Sequence, residues 1–306
     1  MNIDQLNDSY GIPNRVIFTL GNGSFPFIQV KNQSACALIS LYGGQILSFK
    51  PVGELADMLF LSSKALYENG IAIRGGIPVC WPWFGPDPKG LQRPNHGFVR
   101  NQLWSVVAIT TTDNETHITL EFTENHKSEK TWKQPFTLTL EFHIGKTLAL
   151  KLTTQNTGDQ VFSVTQAFHT YLNIADITQV QVLGLEDSYY FDKLDQGKEK
   201  KQTGIVTISE ETDRIYENIN SHLVLNDPVF KRQIEIDSKN CKTGVVWNPW
   251  QRPMKDLDNL DYQHFVCVET GNIAFDLVQI PPGAKKSLFT TYKILSSDVT
   301  SCRQLT

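Results

Sequence analysis

Two side chains that can exchange protons, His169 and Glu269, lie in apolar stretches of the sequence that are typical of β-strands. Along 162–172, alternation places His169 in the middle of a strand, on the less apolar face and beside Tyr171. An imidazole held on a strand has the rigidity and the near-neutral pKa that a proton donor needs. The alternative is a histidine that only serves hydrogen bonds within the fold.

Glu269 stands in the apolar run FVCVETGN, on the strand face that Phe265 and Cys267 share. An unpaired charge in such surroundings is costly, so this carboxylate should either form an ion pair or keep its proton. Burial that raises its pKa would make it a suitable base near neutral pH. An exposed strand end is the remaining alternative.

The segment 70–100, GIAIRGGIPVCWPWFGPDPKGLQRPNHGFVR, is rich in proline, glycine and aromatic residues and cannot be a regular helix or central strand. Long ordered loops of this kind are usually functional, although this one could simply cover an open sheet end. Arg74, His96 and Arg100 could form an anion cradle, because the planar guanidinium suits a phosphate. Alternatively, each arginine pairs with a nearby carboxylate such as Asp87.

Further residues fit a sugar ligand but have structural explanations too. Asp213 could accept a hydrogen bond from a sugar hydroxyl, or it could form a salt bridge with Arg214. Aromatic faces stack on the C–H faces of sugars, and Trp81, Trp83 and Trp250 could do so or could belong to the core.

The elements that must position these residues are mostly strands. Thr, Glu and Lys alternate with Leu and Phe along 137–143 and 148–153, around Gly145, which predicts a hairpin. Similar runs predict strands at 15–20, 27–31, 35–40, 58–62, 103–112, 117–122, 161–173, 179–183, 229–236 and 287–295.

Helical periodicity is weak, so we expect single helical turns at 64–69 and 254–260 and a solvated loop at 193–202. No linker or charge block divides the chain. We therefore predict one all-β domain over residues 1–306, an antiparallel sandwich or barrel-like fold with few short helices.

Composition excludes several classes of function. The net charge of −4 offers no basic excess for nucleic acid. The five widely spaced cysteines argue against a disulfide framework or a zinc site, and no metal or nucleotide motif occurs. No apolar run approaches the length of a membrane helix, and the first 16 residues do not resemble a secretory signal, so a cytoplasmic protein is expected.

The order of the motifs resembles that of the aldose 1-epimerase (galactose-mutarotase-like) family, and in particular its hexose-6-phosphate mutarotase branch. The segment IRGGIPVCWPWFG is followed by NHGFVR, then AFHTYL, TDRIY and VCVETGN, so that the resemblance spans about 37–292. It implies a large antiparallel β-sandwich that interconverts the α and β anomers of a hexose 6-phosphate without a cofactor, and a monomer is expected.

The resemblance also implies roles for individual residues. His169 matches the general acid and Glu269 the general base, while Arg74 and Arg100 match substrate-binding arginines. Asp213 matches a sugar-contacting aspartate. His96 follows the family pattern and is given a binding role, and Asn95 stands where close relatives often have glutamine. An aldose 1-epimerase for non-phosphorylated sugars and a non-catalytic carbohydrate-binding protein are the alternatives.

Overall fold

The computed structural model describes residues 2–123 and 131–296, and these form an all-β protein of antiparallel sheets with one short α-helix. The helix, α1 (Ile3–Tyr10), begins after Asn2, whose side-chain oxygen accepts a hydrogen bond from the backbone N–H of Asp4 at 2.8 Å. The predicted fold class is confirmed.

Two smaller sheets lie outside the two large ones. One has four strands in chain order, β1 (Val16–Leu20), β2 (Pro26–Lys31), β3 (Ala35–Ser40) and β4 (Gln45–Pro51). The other pairs β10 (Phe162–Val164) with β22 (Val278–Ile280).

The largest sheet has nine strands and the most regular alternation in the molecule. In β8 (Phe136–Ile144) and β9 (Thr147–Asn156) nearly every second side chain is buried, and Leu140 lies opposite Leu152, which confirms the predicted hairpin. In spatial order the strands are β16 (Val206–Thr207), β13 (Gln181–Leu183), β18 (His222–Asp227), β19 (Arg232–Lys239), β23 (Lys285–Ser296), β9 (Thr147–Asn156), β8 (Phe136–Ile144), β7 (Thr116–Thr123) and β6 (Ser105–Thr111).

The eight-stranded sheet carries Asp213 and Glu269, two of the residues predicted for the site. Along a path its strands are β15 (Lys198–Lys201), β14 (Tyr189–Asp192), β17 (Thr212–Glu217), β20 (Thr243–Asn248), β21 (Phe265–Asn272), β11 (Gln166–Phe168) and β5 (Val79–Cys80), while β12 (Tyr171–Asn173) also pairs with β21. Every residue of β20 and β21 is buried. One face of β21 joins the main core through Val266 and Val268, and the other joins a second cluster with Phe265 and Cys267.

Several local predictions are wrong. The single strand expected at 161–173 is divided into β10, β11 and β12. Residues 58–62 form only the isolated bridges Leu59–Leu172 and Leu61–Gly75 instead of a strand. The helical turns expected at 64–69 and 254–260 are non-helical turns. The loop at 193–202 contains β15, a charged edge strand of the kind that discourages pairing with other chains.

Within the described residues, no helix is long and apolar enough to cross a membrane. Cys36, Cys80, Cys241 and Cys267 are free thiols, and Cys302 lies outside the described residues.

Candidate active site

All seven residues predicted for the site line one cavity of about 550 Å³. They are Arg74, Asn95, His96, Arg100, His169, Asp213 and Glu269. The segment 70–100, the junction between β11 and β12, and strands β17 and β21 therefore converge on one place, although they are far apart in sequence.

Strand pairing explains why His169 and Glu269 meet. Phe168 of β11 lies opposite Thr270 of β21, and Tyr171 of β12 lies opposite Cys267 of the same strand. The two pairings share one register, which sets His169 opposite Glu269. His169 is thus not in mid-strand, as alternation predicts, but in the gap between two short strands, where its backbone N–H donates to the carbonyl of Pro78 at 3.0 Å.

The imidazole and the carboxylate form a close, buried pair. His169 Nδ1 lies 3.4 Å from Glu269 Oε1, and the residues are 7% and 1% exposed. The contact is not aligned as a hydrogen bond, and neither His169 Nδ1 nor Glu269 Oε2 has a hydrogen-bond partner among the described residues. Buried polar atoms without partners are rare, and here they suit a polar ligand that would supply the missing bonds. An exposed strand end at Glu269 is therefore excluded.

Burial favours the uncharged form of both groups. It raises the pKa of Glu269 well above its ordinary value, Asp213 adds to this rise and Arg100 opposes it. Burial also lowers the pKa of His169 well below its ordinary value, and the nearby His96, Arg100 and Arg74 lower it further. The pair is consequently suited to holding a single proton between the two groups.

Arg74 is fixed by residues that are distant in sequence. Its Nε donates to Asp256 Oδ2 at 3.0 Å and its Nη1 donates to the hydroxyl of Tyr171 at 2.8 Å. Gly76, two residues after Arg74, has a φ of +60°, and a Cβ there would lie 2.1 Å from the carbonyl oxygen of Ile46. Glycine therefore permits the close approach of this part of the loop to β4.

The second half of the loop is held in the same way. A Cβ on Gly97 would lie 1.7 Å from the carbonyl oxygen of Trp81, so only glycine fits where the chain crosses itself. Next to this crossing, His96 has a φ of +61°, an uncommon conformation for a residue with a side chain. Asp87, which could have paired with Arg74 or Arg100, pairs instead with Arg93.

His96 is held as a neutral hydrogen-bond donor. Its Nδ1 accepts a hydrogen bond from the backbone N–H of Gly85 at 3.3 Å, so Nε2 carries the proton of the neutral ring. Burial, with Arg100 and Arg74 nearby, lowers the pKa of His96 to about 3. Arg100 Nη2 donates to the carbonyl of Asn95 at 2.8 Å, which ties these two cavity residues together.

Asp213 lies on β17, opposite Trp247 of β20. Burial raises its pKa, while Lys193 and Arg252, which also line the cavity, act in the opposite direction. The salt bridge with Arg214 is not formed: the Arg214 guanidinium donates to the side chain of Gln202 and stacks on Tyr190.

The aromatic residues of the cavity differ from those that the sequence suggested. Trp81 and Trp83 are core residues, and Trp250 packs against Tyr262. Phe84 and Trp247 line the cavity instead, and sequence reasoning missed Trp247. Trp247 and Val245 alternate on one face of β20, and Trp247 lies opposite Asp213 of β17. This position could have identified Trp247 only if the strand order had been known. Lys193, Arg252 and Met254, which lie in connections between strands, also line the cavity and were missed.

Three possible metal ligands lie close together: atoms of His169, Cys267 and Glu269 are within 4.8 Å of one another. In the absence of an ion, burial in an apolar cluster raises the pKa of the Cys267 thiol well above its ordinary value. That the site holds no metal stays a prediction.

Residues 26–293 match the family model described as aldose 1-epimerase. The chain belongs to the aldose 1-epimerase family, so it is an isomerase of the mutarotase type. A relative from Escherichia coli K12, named "Putative glucose-6-phosphate 1-epimerase", is 40% identical over 248 residues, which cover 79% of this chain and 82% of the relative. A relative of the same name from Cenchrus ciliaris is 34% identical over 258 residues, 78% of this chain and 75% of the relative.

Solved structures agree with this placement. A crystal structure described as that of a "putative mutarotase (YeaD)" from Salmonella typhimurium has a TM-score of 0.88 at 33% identity, covering 94% of this chain and 96% of its own. A galactose mutarotase-like protein from Lactobacillus casei has a TM-score of 0.71 at 15% identity, covering 88% and 100%, and supports the fold alone.

Proposed function

We propose that this protein interconverts the α and β anomers of a hexose 6-phosphate, with glucose 6-phosphate as the first candidate. The observation that carries the proposal is the His169–Glu269 pair, 3.4 Å apart at the wall of a cavity that two arginines also line. The names of the relatives from Escherichia coli and Cenchrus ciliaris support the choice of substrate.

The reaction needs one base and one acid on a pyranose. Glu269 removes the proton of the anomeric hydroxyl while His169 gives a proton to the ring oxygen, so that the C1–ring oxygen bond breaks and a free aldehyde forms. Rotation about C1–C2 and the reverse transfers close the ring on the other face. For this reaction the pair must hold one proton. Transfer of that proton from the Glu269 carboxyl to the His169 imidazole gives a carboxylate base and an imidazolium acid without changing the net charge of the pair.

The phosphate would bind at the cationic side of the cavity. Arg74 and Arg100 offer planar forks that suit phosphate oxygens, and neutral His96 offers an N–H donor next to them. Binding energy from this remote group can hold the sugar in place while C1 rearranges.

Asp213 and Asn95 would contact sugar hydroxyls. Asp213 and Glu269 line the same cavity, and the charge of Asp213 helps to raise the pKa of Glu269. A carboxylate here can accept a hydrogen bond from a hydroxyl next to the anomeric carbon. Asn95 lines the cavity beside Arg100 and offers a side-chain amide.

The test is anomer exchange measured by NMR for glucose 6-phosphate and for glucose. The wild-type protein should accelerate exchange of the phosphosugar. Arg74→Ala and Arg100→Ala should each raise KM for glucose 6-phosphate roughly 10–100-fold, because each loses a hydrogen bond between charged groups, with a smaller effect on glucose. Arg93→Ala, in the same loop but paired with Asp87, is the matched control.

Two results would contradict the proposal. Equal effects of Arg74→Ala on both sugars would favour an epimerase for non-phosphorylated aldoses. Sugar binding without acceleration would favour a carbohydrate-binding protein.

We also propose that residues 1–306 form one domain and that the protein works as a cytoplasmic monomer, without nucleic-acid partners. The main hydrophobic cluster joins strands of both large sheets, which supports a single domain. The free thiols of Cys36, Cys80, Cys241 and Cys267 suit a reducing compartment. Light scattering of the purified protein would test the monomer.

A further inference from the structure

One buried side chain, Tyr171, contacts both halves of the proposed machinery. Its hydroxyl accepts a hydrogen bond from Arg74 Nη1 at 2.8 Å. Its ring stacks on the imidazole of His169, with the centroids 4.9 Å apart and the planes only 9° from parallel. Tyr171 itself is 2% exposed and is packed by Trp247 and Phe265.

We propose that Tyr171 is a positioning residue: its hydroxyl orients the phosphate-binding Arg74, and its ring orients the proton-donating His169. The proposal rests on the proposed function, and it adds a physical link between phosphate recognition and proton transfer.

The hydroxyl acts on Arg74 by limiting how the guanidinium can turn. Tyr171 holds Nη1 and Asp256 holds Nε, so two anchors on different sides of the guanidinium fix the plane of the fork. Among the described residues no hydrogen bond is made by Nη2, which leaves this nitrogen for a ligand. A fork fixed before binding loses less side-chain entropy when a phosphate arrives than a free arginine would.

The ring acts on His169 by fixing the plane of the imidazole. Tyr171 covers one face, while Trp247 meets the ring edge-on at 5.9 Å between centroids. These contacts hold Nδ1 toward Glu269, at 3.4 Å. Burial raises the pKa of the Tyr171 phenol, so the residue supports the pair without adding a charge beside it.

The two contributions can be separated by substitution. Tyr171→Phe keeps the ring and removes the bond to Arg74. We expect KM for glucose 6-phosphate to rise roughly 10-fold or more, with smaller effects on kcat and on the KM for glucose. Tyr216→Phe is the matched control, because Tyr216 is equally buried and its hydroxyl bonds to Gln202 instead.

The ring is tested by Tyr171→Met, a flexible side chain that fills the space without a flat face. We expect kcat to fall at least 10-fold with both glucose 6-phosphate and glucose, since the position of His169 matters to both. An unchanged kcat in Tyr171→Met would overturn the role of the ring. Thermal unfolding of each variant checks that it is folded.

A double-mutant cycle tests whether the hydroxyl acts through Arg74. In the Arg74→Ala background, Tyr171→Phe should have no further effect on KM. Additive effects, or an equal rise in KM for glucose in the single variant, would overturn the proposal.

Calorimetric titration with inorganic phosphate distinguishes failure of the positioning role of Tyr171 from failure of the proposed function. If the wild type does not accelerate anomer exchange, the function is wrong, but weaker phosphate binding by Tyr171→Phe than by Tyr216→Phe would still support the arginine-positioning role. Equal phosphate affinity of these two variants would overturn it.

Discussion

The two large sheets differ in how far their two faces are buried and in the length of their strands. In the nine-stranded sheet, β8 and β9 bury one face and leave the other partly exposed, and they are nine and ten residues long. In the eight-stranded sheet, the central strands β20 and β21 are buried on both faces. The strands β11 and β12, which pair with β21, and β5, which pairs with β11, are only two or three residues long. The candidate active site lies in the second sheet.

This difference shows how stability and chemistry are divided between the sheets. Long amphipathic strands bury apolar side chains such as Leu140 with few polar exceptions. The short strands leave a gap in the ladder at His169, opposite a buried carboxylate, which is a costly arrangement for folding. Substitutions in the two sheets should therefore have opposite consequences for stability and for activity.

The largest effect is expected at the buried pair. Glu269→Gln and His169→Ala should each lower kcat about 10²–10⁴-fold, because each removes one proton-transfer group. NMR exchange between the anomers of glucose 6-phosphate measures this. Asp176→Asn, a change at a partly exposed position that does not line the cavity, should leave kcat unaltered. Wild-type rates in either of the first two variants would contradict their catalytic roles.

A core substitution in the nine-stranded sheet should do the reverse. Leu140→Ala should lower the free energy of unfolding by about 2–5 kcal/mol, since it removes buried methyl groups and leaves a cavity. Its kcat per folded molecule should stay near that of the wild type. Chemical denaturation and activity measured on the same sample would test both points, and a large loss of kcat would remove the contrast between the sheets.

The smallest effect concerns pH and stability. The pKa of Glu269 is raised in the folded protein, so the unfolded chain ionises this group at a lower pH than the folded protein does. The free energy of unfolding of the wild type therefore falls as the pH rises above about 4.5. Glu269→Gln does not titrate. We therefore expect the variant to be more stable than the wild type at pH 8, by on the order of 1 kcal/mol, with the difference shrinking toward pH 4.

Thermal unfolding of both proteins across this pH range gives the measurement. His169→Ala serves as the control, because the histidine has the opposite shift and costs stability at low pH instead. A difference between Glu269→Gln and the wild type that grows as the pH falls would refute the raised pKa.

The sequence is informative where strands are half buried and less so where they are buried on both faces. Alternation correctly predicts the hairpin of β8 and β9 and the two faces of β21. It misses β20 as a strand, because a run of entirely buried residues has no period that separates a strand from other buried segments.

The site residues could be chosen from the sequence, but their arrangement could not. Alternation describes the faces of one strand, whereas the meeting of His169 and Glu269 depends on which strands pair and in what register. The partner of Arg74 shows the same limit: a local carboxylate was the natural expectation, yet Asp256 comes from a loop 182 positions away.

The crossing of the chain at Gly97 and Trp81 has a consequence for how a ligand binds. Since β5 is part of the sheet and the crossing has no room for a side chain, the loop that carries Arg74, His96 and Arg100 is anchored at several points. The entropy of ordering these side chains is lost when the protein folds rather than when a sugar arrives. Substrate should therefore enter a site already shaped for it, and exchange of product for substrate should not wait for a lid to open.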